Sequence, residues 1–327
     1  ATELFRSLAY DRPGVTRAHL SAHSRGSPRV SNVPTCAATA PLPATSNLPG
    51  AIFEAPVDQG ELMNTPCLNP GLKIALTLLL MAPGLSSDLS ADEIQIFDYE
   101  VVEKRAINRE NFTQGLLIWN DALWVSSGLY GESFIARSDW PSMTNRSRKN
   151  LPNEWFAEGL AELGGQLYLL TWRSQKMLVI DPQDLSIIST IPLPGEGWGV
   201  TSDGQQLYVS NGTAQLSVWQ DGKQVQTIKV TLNGKPVSRL NELEWINGEI
   251  WANVWLTDQI VRIDPTSGQI SSIIDVSHLL PAGERQPGTD VLNGIAFDPR
   301  NKGIWLSGKR WPYLYRIKPV ERSGKKP

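Results

Sequence analysis

The chain has 327 residues, 41% of them hydrophobic and 19% charged, an ordinary globular balance, with a formal net charge of −3 at pH 7. That charge supplies no basic surface bias, which argues against nucleic acid and anionic membrane as partners. Both cysteines (Cys36, Cys67) and two of the three histidines (His19, His23) lie in the first 70 residues, so the rest has His278 alone, too little for an ordinary zinc site, a disulfide or a thiol nucleophile.

Residues 1–62 are rich in Ala, Ser, Pro and Arg and show no sustained hydrophobic period. They read as an unfolded or spurious extension ahead of a native start at Met63. Residues 63–91 follow a different plan: Lys73 precedes an apolar run, Ile74 to Ala82, that is too short to span a bilayer and is followed by small residues. This is the layout of a secretory signal, and it predicts an exported protein, periplasmic or secreted, with no stable membrane association once the leader is cleaved. A short hydrophobic helix or membrane anchor is the competing reading.

From residue 92 to 319 the pattern changes to short runs of β-branched and aromatic residues bounded by Gly, Asn, Asp or Pro, which read as strands. An unassigned strand begins at Ile94. Five times thereafter, roughly 40 to 50 residues apart, one phrase recurs: Q-G-L at Gln114, E-G-L at Glu158, W-G-V at Trp198, N-E-L at Asn241 and N-G-I at Asn293. A second strand follows each phrase, beginning at Leu123, Leu167, Leu207, Ile250 and Ile304, and a third at Ser133, Lys176, Gln215, Gln259 and Tyr313. Fourth strands begin at Ser186, Val225 and Ile270; none is evident in the first unit, where an N-R-S-R-K-N run reads as an insert between units. The fifth lacks one because the chain ends, and the strand from Ile94 can supply it. The expected fold is therefore all-β, a five-bladed β-propeller whose ring is closed by an N-terminal strand, with residues 320–327 a flexible tail. A closed ring has no edge that requires a partner, so a monomer is expected.

In a propeller the first strand of each blade lines the central channel, so equivalent positions converge. Gln114, Glu158, Trp198, Asn241 and Asn293 then form one ring, and Gly128, Trp172, Gly212, Trp255 and Lys309 a second. Together they could make an aromatic cup with one carboxylate, one ammonium and several amides. Each member also has a plainer reading. The amides could satisfy channel backbone groups, Glu158 and Lys309 could form a structural ion pair, and Trp172 and Trp255 could be packing residues.

The segments F-T-Q-G-L from Phe112, E-G-L from Glu158, G-E-G-W-G-V from Gly195, N-E-L-E-W-I-N-G-E-I-W-A-N-V-W from Asn241, D-V-L-N-G-I-A from Asp290 and G-K-R-W-P-Y-L from Gly308 closely resemble the plant-type glutaminyl-peptide cyclotransferases. The resemblance spans nearly all of residues 94–319. It implies conversion of an N-terminal glutamine, on peptide or protein substrates, to pyroglutamate with release of ammonia. It also implies Glu158 as general acid/base, Gln114, Asn241 and Lys309 as the groups holding the γ-carbonyl or its oxyanion, and Phe112, Trp172, Trp198 and Trp255 as an aromatic slot. Asn293, on the same ring, is expected to touch the substrate. No cofactor is required by that chemistry, although the resemblance allows a structural calcium in the central channel. Two other readings are open to the residues themselves: a metal-dependent lactonase-like hydrolase, using one Glu and several Asn as ligands, and a non-enzymatic peptide-binding propeller.

Overall fold

The computed structural model describes residues 94–144 and 146–322. The extension, the leader, both cysteines, His19 and His23 lie outside the described residues. The first described strand, β1 (Gln95–Ala106), stands apart in sequence from four-stranded meanders that follow one another along the chain. Blade 1 comprises β2 (Thr113–Trp119), β3 (Ala122–Ser127), β4 (Phe134–Asp139) and β5 (Ser147–Asn150). Blade 2 comprises β6 (Ala157–Leu163), β7 (Gln166–Thr171), β8 (Lys176–Ile180) and β9 (Ile187–Pro192). Blade 3 has β10 (Val200–Ser202), β11 (Leu207–Ser210), β12 (Gln215–Gln220) and β13 (Lys223–Lys229), followed by a two-residue pair, β14 (Thr231–Leu232) and β15 (Lys235–Pro236). Blade 4 has β16 (Leu240–Ile246), β17 (Glu249–Val254), β18 (Gln259–Ile263) and β19 (Ile270–Asp275). A single 3-10 turn (Ala282–Glu284) leads into β20 (Leu292–Asp298), β21 (Gly303–Gly308) and β22 (Tyr313–Glu321).

β1 completes that last group. It runs antiparallel to β22, from Phe97 opposite Glu321 to Ala106 opposite Tyr313. The same strand also pairs in parallel with β19, Gln95 opposite Ser272 through Phe97 opposite Ile274, which joins the last two blades into one eight-stranded sheet. Arg322 reinforces the junction, reaching Asp98 at 2.5 Å and Asp275 at 3.0 Å. Residues 320–322, expected to begin a tail, are therefore held: Val320 and Glu321 find ladder partners in β1. The first blade also differs from expectation, because Ser147–Asn150 of the supposed insert is its outer strand, β5. All four of its residues are exposed, so neither face needs an apolar residue and the strand has no hydrophobic alternation to read.

The innermost strands β2, β6, β10, β16 and β20 touch one another in a closed cycle, the arrangement of a propeller. The apolar core is accordingly divided into wedges between neighbouring blades. Trp124 and Ile135 meet Leu169 and Leu178 between the first two; Met177 and Leu170 meet Val209 and Trp219 in the next; Leu216 and Val218 meet Val261 and Ile273; Ile260 and Ile274 meet Leu306 and Tyr315; and Leu123 and Val125 meet Trp305 and Leu314 where the ring closes. Each such aliphatic or aromatic side chain removed from water stabilises the fold by about 1.5–3 kcal/mol, which binds blade to blade without any disulfide.

Close approach at the axis explains the glycine of the recurring phrase. A Cβ on Gly199 would collide with the carbonyl oxygen of Asn241 on the next blade, and one on Gly159 would lie 2.6 Å from the Val200 nitrogen. Blade 4 breaks the phrase with Glu242, whose carboxylate fills the axis. It accepts hydrogen bonds from the backbone N–H of Leu116 on β2 (3.3 Å) and of Ile295 on β20 (2.8 Å). Glu244, one turn of the pleat further on, accepts from Phe297 N–H at 2.8 Å. Burial raises the pKa of both carboxyls; for Glu244 it does so against the pull of its backbone donors, to about 8.

Glu244 thus keeps its proton in the folded chain while the unfolded chain releases it near 4.5, so stability should fall as pH rises from about 4.5 to about 8 and level off above. Glu244→Gln should flatten that fall and recover of the order of a few kcal/mol at pH 8. Urea denaturation across this pH range measures it; an unchanged slope would remove Glu244 as its source.

Candidate active site

The register of the inner strands brings the sequence-predicted residues to one mouth of the channel. β2, β6 and β16 begin there, which places Gln114, Glu158 and Asn241 near their first residues, and Trp172, Trp255 and Lys309 stand just beyond the ends of β7, β17 and β21. A cavity of about 150 Å³ is lined by Phe112, Gln114, Phe156, Glu158, Trp172, Trp198, Asn241, Trp255 and Lys309. Eight of the nine expected residues lie on this wall. Asn293 lies one layer back, fully buried: its Nδ2 donates to Gln114 Oε1 at 3.1 Å and to the Thr113 carbonyl at 3.0 Å, so it holds Gln114 and does not face the cavity.

Gln114 passes that constraint on, its Nε2 donating to Glu158 Oε1 at 3.1 Å. Asn293 thereby fixes which end of the Gln114 amide faces the carboxyl. Glu158 is 5% exposed, and burial pushes its pKa well above the usual carboxylate range; Lys309 pulls it down and Glu196 pushes it further up. Lys309 is 7% exposed and its pKa is lowered by burial, opposed by Glu158 and Asp290. The two are coupled through space without a direct hydrogen bond, since Glu158 takes its bond from Gln114 and the Lys309 ammonium lies 5.0 Å from the centroid of the Phe112 ring. Asn241 presents a buried Oδ1 that has no hydrogen-bond partner among the described residues. An acceptor left unpaired in a cavity wall is costly unless a ligand or water completes it.

The aromatic walls are built by exchange between blades. Gly128 and Gly212 leave room for the rings of Phe156 and Trp198, which press directly on them. Phe112 meets Phe156 edge-on at 6.3 Å, Phe156 meets Trp172 at 5.4 Å, and Trp198 meets Trp255 at 5.5 Å. Two contributors went unseen in the sequence. Phe156 was legible, because F-T-Q-G-L at Phe112 and F-A-E-G-L at Phe156 place a phenylalanine two residues before each polar ring member. Glu196 occupies the same offset before Trp198. Its Oε2 accepts from the indole N–H of Trp172 at 2.8 Å and of Trp198 at 3.0 Å, while Oε1 takes Arg173 Nε at 3.0 Å. Those donors hold its pKa below the usual value although burial opposes them.

The model of the glutamine cyclotransferase family matches residues 73–319, about three quarters of the chain and all of the cavity wall. The chain belongs to that family. A glutaminyl-peptide cyclotransferase of Arabidopsis thaliana is 39% identical over 254 residues, covering 74% of this chain and 77% of the relative. The crystal structure of Myxococcus xanthus glutaminyl cyclase superposes with a TM-score of 0.64 at 30% identity, covering 71% of this chain and all of the bacterial one. Membership in the glutamine cyclotransferase family accords with the resemblance carried by the ring motifs.

A calcium in the channel, which that resemblance allows, would have to be held by carbonyl oxygens and not by a cluster of acidic side chains. No group of three or more Asp, Glu, His or Cys converges among the described residues, and the axial Glu242 spends both carboxylate oxygens on backbone N–H donors. Nor do Glu158 and the asparagines form the convergent donor set a lactonase-like metal site needs, since Asn293 faces away behind Gln114.

Glu196→Leu should leave both indole N–H groups without their acceptor and loosen the wall between blades 2 and 3. The expected outcome is a changed near-UV circular dichroism signal with a stability loss of about 1–2 kcal/mol; an unaltered aromatic spectrum would show that packing alone orients Trp172 and Trp198.

Proposed function

We propose that the cavity is the active site of a glutaminyl-peptide cyclotransferase, which converts N-terminal glutamine on peptides or proteins to pyroglutamate and releases ammonia. The observation that carries the assignment is one carboxyl, Glu158, buried with a raised pKa and oriented by Gln114 at the floor of an aromatic cup, in a glutamine cyclotransferase chain. The α-amine attacks the γ-carbonyl of its own side chain. The new N–C bond closes a five-membered lactam, and the C–N bond of the side-chain amide breaks. No external nucleophile is needed, so the work left to the protein is folding the side chain back on itself, moving protons and stabilising the oxyanion.

Glu158 takes a proton from the attacking amine and returns it to the departing nitrogen. A raised pKa suits both halves, because a carboxyl that binds its proton more tightly is a better base when empty and still a competent acid when loaded. Lys309 and the Gln114 amide supply positive charge and N–H donors to the oxygen of the tetrahedral intermediate. Asn241 lines the cavity with its Oδ1 buried and unpaired among the described residues, an acceptor that a substrate N–H would satisfy once the amide turns toward the cavity. Phe112, Phe156, Trp172, Trp198 and Trp255 form the slot that keeps the folded side chain from water. Export rests on the leader-like segment at 63–91, and a monomeric state on the closed ring.

Incubation of the protein with a Gln-initiated peptide should release ammonia well above the spontaneous rate, followed by a coupled assay, and Glu158→Gln should lower turnover by about 10²-fold or more with the fold intact. Near-normal turnover in that variant would remove Glu158 from its role. Lys309→Met takes away the charge that draws the Glu158 pKa down, so the acidic limb of the pH–rate profile should move to higher pH. A limb that stays in place would uncouple the two groups.

A further inference from the structure

The reaction accounts for the floor and walls of the cup but leaves its rim unused. Among the described residues, the exposed large hydrophobic side chains are mostly on outer strands: Val101 and Val102 on β1, Ile187 and Ile188 on β9, and Val225 on β13. Two others, Tyr130 and Leu256, stand on loops at the mouth of the cup. Tyr130 is 50% exposed, yet its ring packs at 5.4 Å against Phe156 and at 6.4 Å against Trp172, both wall residues. The aromatic surface therefore continues from the cup to solvent on this side.

The loop that carries Tyr130, between β3 and β4, is tied down. Gly131 N–H donates to the Asn153 carbonyl at 2.9 Å and Glu132 N–H to that of Leu129 at 3.1 Å. Ser133 Oγ donates to Leu129 O at 2.8 Å and accepts from Ala157 N–H at 3.0 Å, next to Glu158. Leu129 has φ +97°, a conformation unfavourable for a side chain of its size, which these bonds impose. An exposed aromatic ring held on a fixed loop loses little freedom when a ligand covers it.

A glutamine folded against Glu158 must send the rest of its peptide out over the rim. We propose that Tyr130 is a specificity-determining residue, the platform for the side chain that follows the N-terminal glutamine, favouring an aromatic or large apolar residue there. This rests on the cyclotransferase activity proposed above. Glutamine amide, Gln-Gly-amide and Gln-Phe-amide, turned over by the full chain, separate the possibilities.

The wild type should favour Gln-Phe-amide over Gln-Gly-amide by about three- to tenfold in kcat/KM, the gain expected of one aromatic contact. Tyr130→Ala should bring that ratio close to one, with glutamine amide and Gln-Gly-amide changed less than about twofold, and Tyr130→Phe should restore it. A wild-type ratio near one, a ratio untouched by Tyr130→Ala, or an equal loss on all three substrates would overturn the subsite; the last would mean that Tyr130 only props Phe156 and Trp172. Silence of the wild type on all three would overturn the activity itself.

Discussion

Five strands that meet at an axis cannot all be paired on both edges. Their inner edges face a channel too narrow for another strand, and the backbone groups there must find partners in side chains or bear the cost of burial. The structure meets this constraint with a small set of polar residues. Glu242 receives N–H groups from two other blades, Glu244 a third, and Asn253 Oδ1 accepts from Gly294 N–H at 3.0 Å. Ser210 Oγ donates to the Asn241 carbonyl at 2.7 Å, Ser126 Oγ to the Glu158 carbonyl, and Asn293 Nδ2 to that of Thr113. These bonds fix the height of each inner strand relative to its neighbours, which the interblade apolar wedges alone would leave free to slide.

That fixed height is what makes a catalytic constellation possible. The backbone carbonyls of Glu158 and Asn241 are held by serines on β3 and β11, so their side chains project to one level at the mouth. Asn293 serves both needs, binding a strand carbonyl with the same Nδ2 that orients Gln114. The polar chemistry of the cup is the upper end of the network that holds the ring together. The aromatic side chains then add what the axis lacks, a dry wall that raises the Glu158 pKa, and Glu196 anchors two of them from the rim.

Much of this was legible because a repeat multiplies weak signals. A single Q-G-L means little, whereas five such phrases, each followed by a second strand at nearly the same distance, point to the inner strands, their register and seven wall residues; Phe112, the eighth, was carried by the family resemblance. Where the repeat carried no apolar alternation the sequence fell silent, as at β5, which is exposed on both faces. Phe156 escaped although its phrase matches that of Phe112, because the recurring phrase is anchored at its polar residue, two positions further on. Glu196 and Asn293 are harder cases. Position along a strand tells which residues share a ring, but not whether an amide faces the cavity or the side chain next to it; that depends on rotamers set by neighbours from another blade.

The seam between β1 and β22 joins the first described strand to the last. During synthesis β1 is made before any blade and stays without its antiparallel partner until more than 200 residues have followed, because Ala106 pairs with Tyr313 and Phe97 with Glu321. The ring cannot close on a nascent chain whose β22 is still inside the ribosome, so the last blade is completed after the other blades have been made. Removal of β1 or of β22 would open the same seam and free the same row of backbone donors. The two ends of the domain are thus one structural element whose halves are made more than 200 residues apart.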